Sequence, residues 1–284
     1  MNVLVVGANG MIGSTVLRVL SESDSLKVFG SIRNPNVKPL FPAHLADGLV
    51  SDIDVTNLDS LIDVFERIRP QVVVNCAGMT KHKPAVDNAV VTIPVNALMP
   101  HRLAKLCKLF EARLIHVSTD CVFSGGKGGY RETDIPDAQD IYGKSKALGE
   151  VFYPHSITLR TSTIGHELNS CYGLLDWFLS QDNHCNGFSK AIFSGLPTIE
   201  FARVIRDVVI PKPELYGLYH VAAKPINKYD LLCMIARVYK KSIEITPSNK
   251  LVIDRSLNAD KFFAATGYVA PEWPALIELM HAYQ

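Results

Sequence analysis

Tyr142 and Lys146 are the residues of this sequence whose types and spacing best suit proton transfer. They lie four positions apart in the segment DIYGKSKALGE, and residues four apart on a helix share one face. A tyrosine phenol has a pKa of about 10, and a cation one helical turn away favours the phenolate and lowers that pKa. Thr119 ends the apolar run LIHVST and can hydrogen-bond the reacting oxygen. We therefore predict a catalytic trio in which Tyr142 gives a proton to a carbonyl oxygen.

A glycine-rich loop supplies the second part of this chemistry. Gly7, Gly10 and Gly13 follow the strand-like run NVLVV and precede an amphipathic stretch. The first glycine permits a tight turn, the second lets the backbone approach a pyrophosphate, and the third lets the helix pack on the strand. The helix N-terminus then offers free N–H groups to the phosphates. The spacing is GxxGxxG rather than the commoner GxGxxG, and an ordinary glycine-rich turn is the alternative. The candidate cofactor contacts here are Gly7, Asn9, Gly10, Met11, Ile12 and Gly13.

The segment after the second predicted strand distinguishes between the two nicotinamide dinucleotides. NAD-binding units carry an acidic residue about 20 residues past the loop, for the ribose 2′-hydroxyl. Here the segment LKVFGSIRNP has no acid but holds Ser31 and Arg33. The planar guanidinium of Arg33 can hold a 2′-phosphate, although a solvated arginine is the alternative. NADPH is favoured, and NADH stays possible.

Short apolar runs and amphipathic stretches alternate along residues 1–160 and must position these groups. The predicted strands are Val3–Val6, Lys27–Ser31, Gln71–Cys76, Arg113–Val117 and Ile157–Arg160. The predicted helices are Met11–Ser21, Leu58–Ile68, Pro94–Phe110 and Ile141–Phe152. Continuous aliphatic strands are typical of parallel sheets buried on both faces, and strand–helix alternation gives right-handed βαβ units. We predict an α/β, Rossmann-type fold with a doubly wound parallel sheet, which forms an NADP-binding domain over residues 1–160.

Residues 161–284 have a looser pattern. Helices are predicted near Thr198–Val209 and Asn227–Tyr239 and in the two tail segments SLNADKFFAATGY and PEWPALIELMHAY, with a strand at Leu218–Val221. We predict that this half is mainly a smaller C-terminal substrate-binding lobe, with some strands returning to the sheet.

Composition excludes several classes of function. The net charge of the 284-residue chain is +1, so no charge excess points to a nucleic-acid polymer or an anionic membrane surface. No apolar run is long enough to insert into a bilayer, and strand-like sequence begins at Asn2, so no signal peptide is expected. The six cysteines are scattered without a CxxC pair, which favours reduced thiols in the cytoplasm over zinc or disulfides. No metal site is predicted.

Seven motifs carry a resemblance to a known family. They are GxxGxxG at 7–13, DVTN at 54–57, NCAGMT at 75–80, VNA at 95–97, STDCVF at 118–123, YGKSKALGE at 142–150 and LRTS at 159–162. In their order and spacing the sequence resembles an extended short-chain dehydrogenase/reductase, and within that group the dTDP-4-dehydrorhamnose reductase family. The match covers the first 160 residues well and is looser beyond them.

The resemblance implies a role for each matching position. Asp54 and Val55 would flank the adenine, and Asn96 would orient water or Lys146. The further implied cofactor contacts are Ala77, Gly78, Met79, Ser118, Tyr142 and Lys146, and Thr119 and Asp120 would lie near the sugar. The implied reaction is NADPH-dependent reduction of the 4-keto group of a nucleotide-diphosphate 6-deoxysugar, in the synthesis of surface-polysaccharide precursors. The two substrates considered are dTDP-4-dehydrorhamnose and a UDP-2-acetamido-2,6-dideoxy-4-hexulose.

Two departures from the family pattern concern the sugar. Thr163 stands where the family commonly has tryptophan, and Met79 where it commonly has histidine. A smaller residue at position 163 leaves room for an acetamido group. His82 and Arg203 are further candidate substrate contacts, and Arg160 and His166 could also serve a diphosphate.

Two other functions use the same residues. A nucleotide-sugar 4-epimerase shares the trio but keeps its nicotinamide bound, and the missing acid after the second strand argues against it. A non-catalytic NADP-binding regulatory subunit is the alternative from a different class. A homodimer is possible, although the sequence shows no interface pattern.

Overall fold

A seven-stranded parallel sheet forms the centre of the structure, a computed structural model that describes residues 1–81 and 85–284. The strands in this part of the chain are β1 (Asn2–Val6), β2 (Lys27–Ser31), β3 (Leu49–Val50), β4 (Val72–Asn75), β5 (Arg113–Thr119), β6 (Ser156–Thr161), β7 (Thr163–Ile164), β8 (His184–Phe193), β9 (Leu196–Pro197), β10 (Gly217–His220), β11 (Ile226–Asn227) and β12 (Glu244–Asp254). The α-helices are α1 (Met11–Ser21), α2 (Ala43–Ala46), α3 (Leu58–Ile68), α4 (Ala89–Ile93), α5 (Met99–Leu109), α6 (Ile141–Leu148), α7 (Leu174–Ser180), α8 (Thr198–Arg203), α9 (Lys228–Val238), α10 (Asp260–Thr266) and α11 (Trp273–Ala282). Short 3₁₀ segments cover Pro35–Leu40 and Asp120–Val122, and π-helical segments cover Pro94–Leu98 and Val204–Val209.

The strand order of the large sheet is β10-β6-β5-β4-β1-β2-β3, and every neighbouring pair is parallel. The chain builds outward from β1 to β3, then returns to β4 and builds in the other direction. This reversal leaves a crevice between β1 and β4 at the carboxyl edge of the sheet, which is where ligands bind in open α/β sheets. The predicted Rossmann-type, doubly wound α/β fold is confirmed.

Alternate residues of the strands enter two separate hydrophobic cores. Val3 and Val5 of β1 pack on the face that α1 and α8 cover, whereas Leu4 and Val6 pack on the face that α3 and α5 cover. Because both faces of a parallel sheet are buried, the strands are aliphatic throughout, as the sequence indicated.

Several predicted elements agree with the structure to the residue, including α1, α3 and β2. Two predicted helices have different bounds. The helix predicted from Pro94 begins at Ala89, and the helix predicted to reach Phe152 ends at Leu148. Gly149 is the C-cap of this helix, and a Cβ there would collide with the carbonyl oxygen of Asn96, so the close packing at this end requires glycine.

The second half of the chain contributes one strand to the edge of the large sheet and forms two smaller sheets, one of which is the two-stranded pair of β7 and β9. β10 pairs with β6 at the edge of the large sheet, while β8 lies between β11 and β12 in a three-stranded sheet. β8 and β12 were not predicted, because polar residues and Pro247 interrupt the apolar alternation that indicates a strand. The domain boundary after residue 160 stays a prediction.

Over residues 1–81 and 85–284, no helix combines the length and apolar character needed to cross a membrane. Within the same ranges no three His, Cys, Asp or Glu residues are grouped as a metal site would require.

Candidate active site

The loop between β1 and α1, together with the first turn of α1, contains three glycines. The fold requires two of them, and the third leaves space for a ligand. Gly7 has φ +79°, and a Cβ there would lie 2.7 Å from the Cα of Ala77. A Cβ on Gly13 would collide with the carbonyl oxygen of Gly7. A Cβ on Gly10 would lie 3.6 Å from that same oxygen, which is ordinary contact. The fold therefore requires glycine at positions 7 and 13, whereas the bare backbone at position 10 leaves room for a ligand.

The N-terminus of α1 opens directly on this space. Gly10 is the N-cap, in an extended conformation, and as glycine it has no side chain to bond the first-turn N–H groups. The groups around Met11 and Ile12 are therefore available to an anion, and the helix dipole favours negative charge there. Asn9 lies half-buried in the same loop. This cradle fits the pyrophosphate of a dinucleotide.

Arg33 and Asp54 follow β2 and β3 on the far side of the crevice, and both are exposed. Hydrogen bonds from the backbone and hydroxyl of Thr56 (2.9 and 2.8 Å) hold the pKa of Asp54 below its usual value, and the charge of Arg33 adds to this effect. Val55, beside Asp54, packs against the core. The structure thus brings the predicted adenine contacts and the predicted 2′-phosphate contact into one neighbourhood.

Asn96 holds the loop that follows β4. Its Oδ1 accepts the N–H of Met79 (2.8 Å), and its Nδ2 donates to the carbonyl of Met79 (3.1 Å) and to Oγ of Ser145 (3.2 Å). Asn96 is 1% exposed and lies on the π-helical segment. It therefore fixes Ala77–Met79 against α6 by way of Ser145, the residue before Lys146.

Thr119 and Tyr142 meet at the carboxyl end of β5. The hydroxyl of Thr119 donates to Oδ1 of Asp120 and accepts the N–H of Cys121, both at 3.1 Å. Burial is the main influence on Tyr142 and raises the pKa of its phenol; Cys121 and Asp120 raise it further, and hydrogen bonding with Thr119 opposes them. Tyr142 is therefore a protonated phenol at neutral pH.

Lys146 is buried, and its Nζ donates to the carbonyl of Val117 at 2.7 Å. Burial lowers the pKa of Lys146 to about 8, against the opposing charge of Glu150. The leading influences on the pKa of Tyr142 are burial, Cys121, Thr119 and Asp120, and their net effect is to raise it. That Lys146 lowers the phenol pKa stays a prediction.

A closed cluster, which consists of Ser118, Glu150, Arg160 and His220, lies beneath the other face of β5. Nε and Nη2 of Arg160 donate to the two carboxylate oxygens of Glu150, each at 2.6 Å, and Ser118 Oγ donates to the same carboxylate at 2.8 Å. Nη1 of Arg160 lies 3.2 Å from Nε2 of His220. All three guanidinium nitrogens of Arg160 are engaged within this buried cluster, so its assignment as a diphosphate contact is wrong. The cofactor role of Ser118 stays a prediction.

An open cluster, which consists of Asp120, Lys228 and Arg255, lies on the Thr119 side. Burial raises the pKa of Asp120, against the nearby charges of Arg255 and Lys228. Sequence reasoning missed both cations, because they come more than 100 residues after β5 and belong to no motif. The one usable indication was Lys228, which opens a predicted helix directly after the capping residue Asn227.

The remaining predicted substrate contacts are dispersed. Thr163 is half-buried in β7, opposite Leu196. Arg203 ends α8, further along α1 from the crevice than Thr198, whose hydroxyl lies 3.1 Å from that of Thr15. His166 bonds the hydroxyl of Tyr239 (2.9 Å). His82 lies outside the described residues.

A doubly wound sheet with a glycine loop at its crevice and a Thr119–Tyr142–Lys146 trio beside it defines a protein of the extended short-chain dehydrogenase/reductase class. A family model described as the RmlD substrate binding domain matches residues 1–258. The chain belongs to this family, which confirms the resemblance that its motifs indicated.

Known proteins similar to the chain agree with this assignment. A dTDP-4-dehydrorhamnose reductase from Aggregatibacter actinomycetemcomitans is 25% identical, over 99% of this chain and 98% of its own length. Methionine adenosyltransferase 2 subunit beta from Danio rerio is 28% identical, over 88% of this chain and 76% of its own length. The solved structure of dTDP-4-dehydrorhamnose reductase from Bacillus anthracis in complex with NADP shares the fold, with a TM-score of 0.82 and 22% identity over 100% of this chain and 99% of its own.

Proposed function

We propose that the protein reduces the 4-keto group of a nucleotide-diphosphate 6-deoxysugar with NADPH, as a step in the synthesis of surface-polysaccharide precursors. The observation that carries this proposal is the placement of Thr119 and Tyr142 at the end of β5, beside the crevice on which the glycine loop opens. The full-length similarity to a dTDP-4-dehydrorhamnose reductase supports dTDP-4-dehydrorhamnose as the first substrate to test.

The chain's own groups fit NADPH at three places. The uncapped N-terminus of α1 suits the pyrophosphate, Arg33 suits the 2′-phosphate, and the loop held by Asn96 extends toward the trio. When bound, the dinucleotide supplies the hydride for the carbonyl carbon.

The remaining steps belong to protein residues. Thr119 hydrogen-bonds the carbonyl oxygen and holds it in line with Tyr142. The raised pKa of Tyr142 keeps its phenol protonated, so that it can donate a proton as the oxygen gains electrons from the reduction. Lys146, held by Val117, places a positive charge beneath the reaction centre, where it stabilises the negative charge that develops.

The direct test is Tyr142→Phe, assayed by consumption of NADPH. The substitution removes the proton donor and keeps the ring, so we expect turnover to fall by about 100- to 10,000-fold while NADPH binding stays unchanged. Tyr216→Phe, on the exposed surface, is the matched control and should keep full activity. Full activity in Tyr142→Phe would contradict the mechanism.

The identity of the sugar is a finer proposal that rests on Thr163. The assay compares dTDP-4-dehydrorhamnose with the UDP-2-acetamido-4-keto-6-deoxysugar, and NADH is the cofactor control. Turnover of the dTDP-sugar alone would show that position 163 provides no acetamido pocket.

The similarity to methionine adenosyltransferase 2 subunit beta favours a second candidate, a regulatory NADP-binding subunit. Co-purification with a larger enzyme, together with bound NADPH and no turnover of either sugar, would support it. We also propose that the enzyme is cytoplasmic.

A homodimer is a further proposal, and analytical ultracentrifugation of the purified protein tests it.

A further inference from the structure

The three-stranded sheet brings two cations to one end of the active site. Asn227 of β11 and Asp254 of β12 both pair with Ile192, from opposite sides of β8. Neighbouring strands are about 4.8 Å apart, so these two paired positions lie about 10 Å apart. Lys228 and Arg255 directly follow these two positions. Because β11 runs antiparallel and β12 parallel to β8, the chain leaves Ile192 in opposite directions at the two residues. The sheet therefore places the two cations on the two sides of β8, although they lie 27 positions apart in sequence.

Arg255 is anchored along one edge and open along the other. Its Nε donates to the carbonyl of Phe123 at 2.7 Å, and Nη1 lies 3.7 Å from Sγ of Cys121. The preceding residue is also fixed, because the N–H of Asp254 donates to the carbonyl of Gly125 at 2.8 Å. These bonds place the guanidinium directly after the Thr119–Asp120 corner of β5.

The charges of the open cluster do not balance. Among the described residues, Asp120 is the one buried carboxylate that faces these two cations. Asp137 and Asp140 also lie near Arg255, but Asp137 is exposed and Asp140 is paired with Lys81. The next ion pair along the cleft is already matched, because Lys81 lies 3.1 Å from Asp140. Lys228 is half-buried, and burial lowers the pKa of its ammonium despite the charge of Asp120. A surplus cation in a partly dehydrated cleft gains strongly from an anionic ligand.

We propose that Lys228 and Arg255 bind the diphosphate of the nucleotide-sugar substrate. The inference rests on the proposed function, in which Thr119 and Tyr142 hold the 4-keto oxygen. The diphosphate is attached to the opposite carbon of the same six-membered ring, so it must lie one sugar's width from Thr119. The open cluster lies directly beyond Thr119, through Asp120 and Cys121, at the place where such a group must be neutralised.

The test measures binding of dTDP, inorganic pyrophosphate and NADPH to the full chain by calorimetry. Lys228→Met removes the positive charge and keeps the apolar part of the side chain. Arg255→Lys keeps the positive charge but removes the planar guanidinium, which can donate two parallel hydrogen bonds. Lys250→Met, at an exposed position of the same sheet, is the matched control.

We expect Lys228→Met to weaken dTDP and pyrophosphate binding by about 10- to 100-fold, as for a lost charged hydrogen bond, and to leave NADPH binding unchanged. Arg255→Lys should weaken dTDP less than Lys228→Met does, and Lys250→Met should have no effect. With a keto-sugar substrate, Lys228→Met should raise KM much more than it lowers kcat.

Unchanged dTDP affinity in Lys228→Met would overturn the proposal, as would equal losses of dTDP and NADPH binding, which indicate a merely structural role. Failure of the proposed function gives a different result. In that case the wild-type protein turns over no keto-sugar, yet dTDP binding still depends on Lys228.

Discussion

Two adjacent residues of β5 each lie beside a cluster of charged side chains. The two clusters differ in burial and in how well their charges are matched. Because successive residues of a strand point to opposite faces, Ser118 enters the closed cluster and Thr119 faces the open one. In the closed cluster the side chains of Glu150 and Arg160 are each 2% exposed and match each other in charge and hydrogen bonds. In the open cluster Asp120 is buried, whereas its two cations are only half-buried and outnumber it.

The difference indicates which charges serve the fold and which serve a ligand. Burial and the charge of Arg160 hold the pKa of His220 down at about 3, so this imidazole stays neutral across physiological pH and adds no charge to the closed cluster. Within the part of the chain that the structure describes, the open cluster has no second buried carboxylate to match its second cation. A buried charge that the protein itself neutralises is part of the scaffold, whereas a surplus charge at a crevice is available for binding.

The largest effect is expected from breaking the closed cluster with Arg160→Met. The substitution leaves Glu150 buried without its cationic partner, so the free energy of unfolding should fall by about 3–5 kcal/mol in urea titrations. The double variant Glu150→Leu/Arg160→Met should recover most of this loss. Arg206→Met, which removes a more exposed pair with Glu22, is the control and should cost less than about 1 kcal/mol. A loss of less than 1 kcal/mol in the Arg160 variant would contradict a structural role.

An intermediate effect is expected when pH changes the charge of the open cluster. As pH rises through the raised pKa of Asp120, its carboxylate ionises and cancels part of the positive charge of Arg255 and Lys228. Binding of dTDP should therefore weaken by about tenfold over this acidic range, which corresponds to about 1.4 kcal/mol. Asp120→Asn should bind dTDP tightly throughout the same range. At higher pH the lowered pKa of Lys228 causes a second loss, which both proteins should share. A sloping profile in Asp120→Asn within the acidic range would show that another group titrates there.

The smallest effect is expected at the rim, where Lys81 pairs with Asp140. Their side chains are 44% and 35% exposed, so Lys81→Ala should change the free energy of unfolding by less than about 1 kcal/mol. Asp140→Ala should cost more, about 1 kcal/mol or above, because Oδ1 of Asp140 also caps α6 through the N–H of Gly143 at 2.7 Å. Equal losses in the two variants would mean that the ion pair, rather than the cap, supports α6.

The order of these groups along the chain explains how much of the site could be predicted. Gly7, Gly10 and Gly13 lie in one short loop, and Tyr142 and Lys146 on one helix, so local spacing was enough to find them. Strands buried on both faces are also visible locally, which is why β1, β2 and β5 were placed closely.

Groups that depend on pairing between distant strands could not be found in this way. Lys228 and Arg255 share a site only because β11 and β12 both pair with β8, and β8 itself has a polar, irregular sequence. The hydrogen bond from Lys146 to Val117 is equally invisible in the sequence, since it depends on how α6 lies against β5. Arg160 was misassigned because sequence shows an arginine near the crevice without showing that Glu150 already holds it.

The position of β10 at the edge of the large sheet has a consequence for the chain during its synthesis. β6 is made early, but within the described residues its outer edge pairs with β10 alone, and roughly 55 residues separate Thr161 from Gly217. At about 5–20 residues per second, a ribosome takes about 3 to 11 seconds to deliver the missing strand. During that interval the nascent sheet presents an unpaired strand with the aliphatic residues Ile157 and Leu159, which is the kind of edge that recruits other chains. The first half of the chain is therefore most exposed to misassembly, and to chaperones that cover such edges, before the second half emerges.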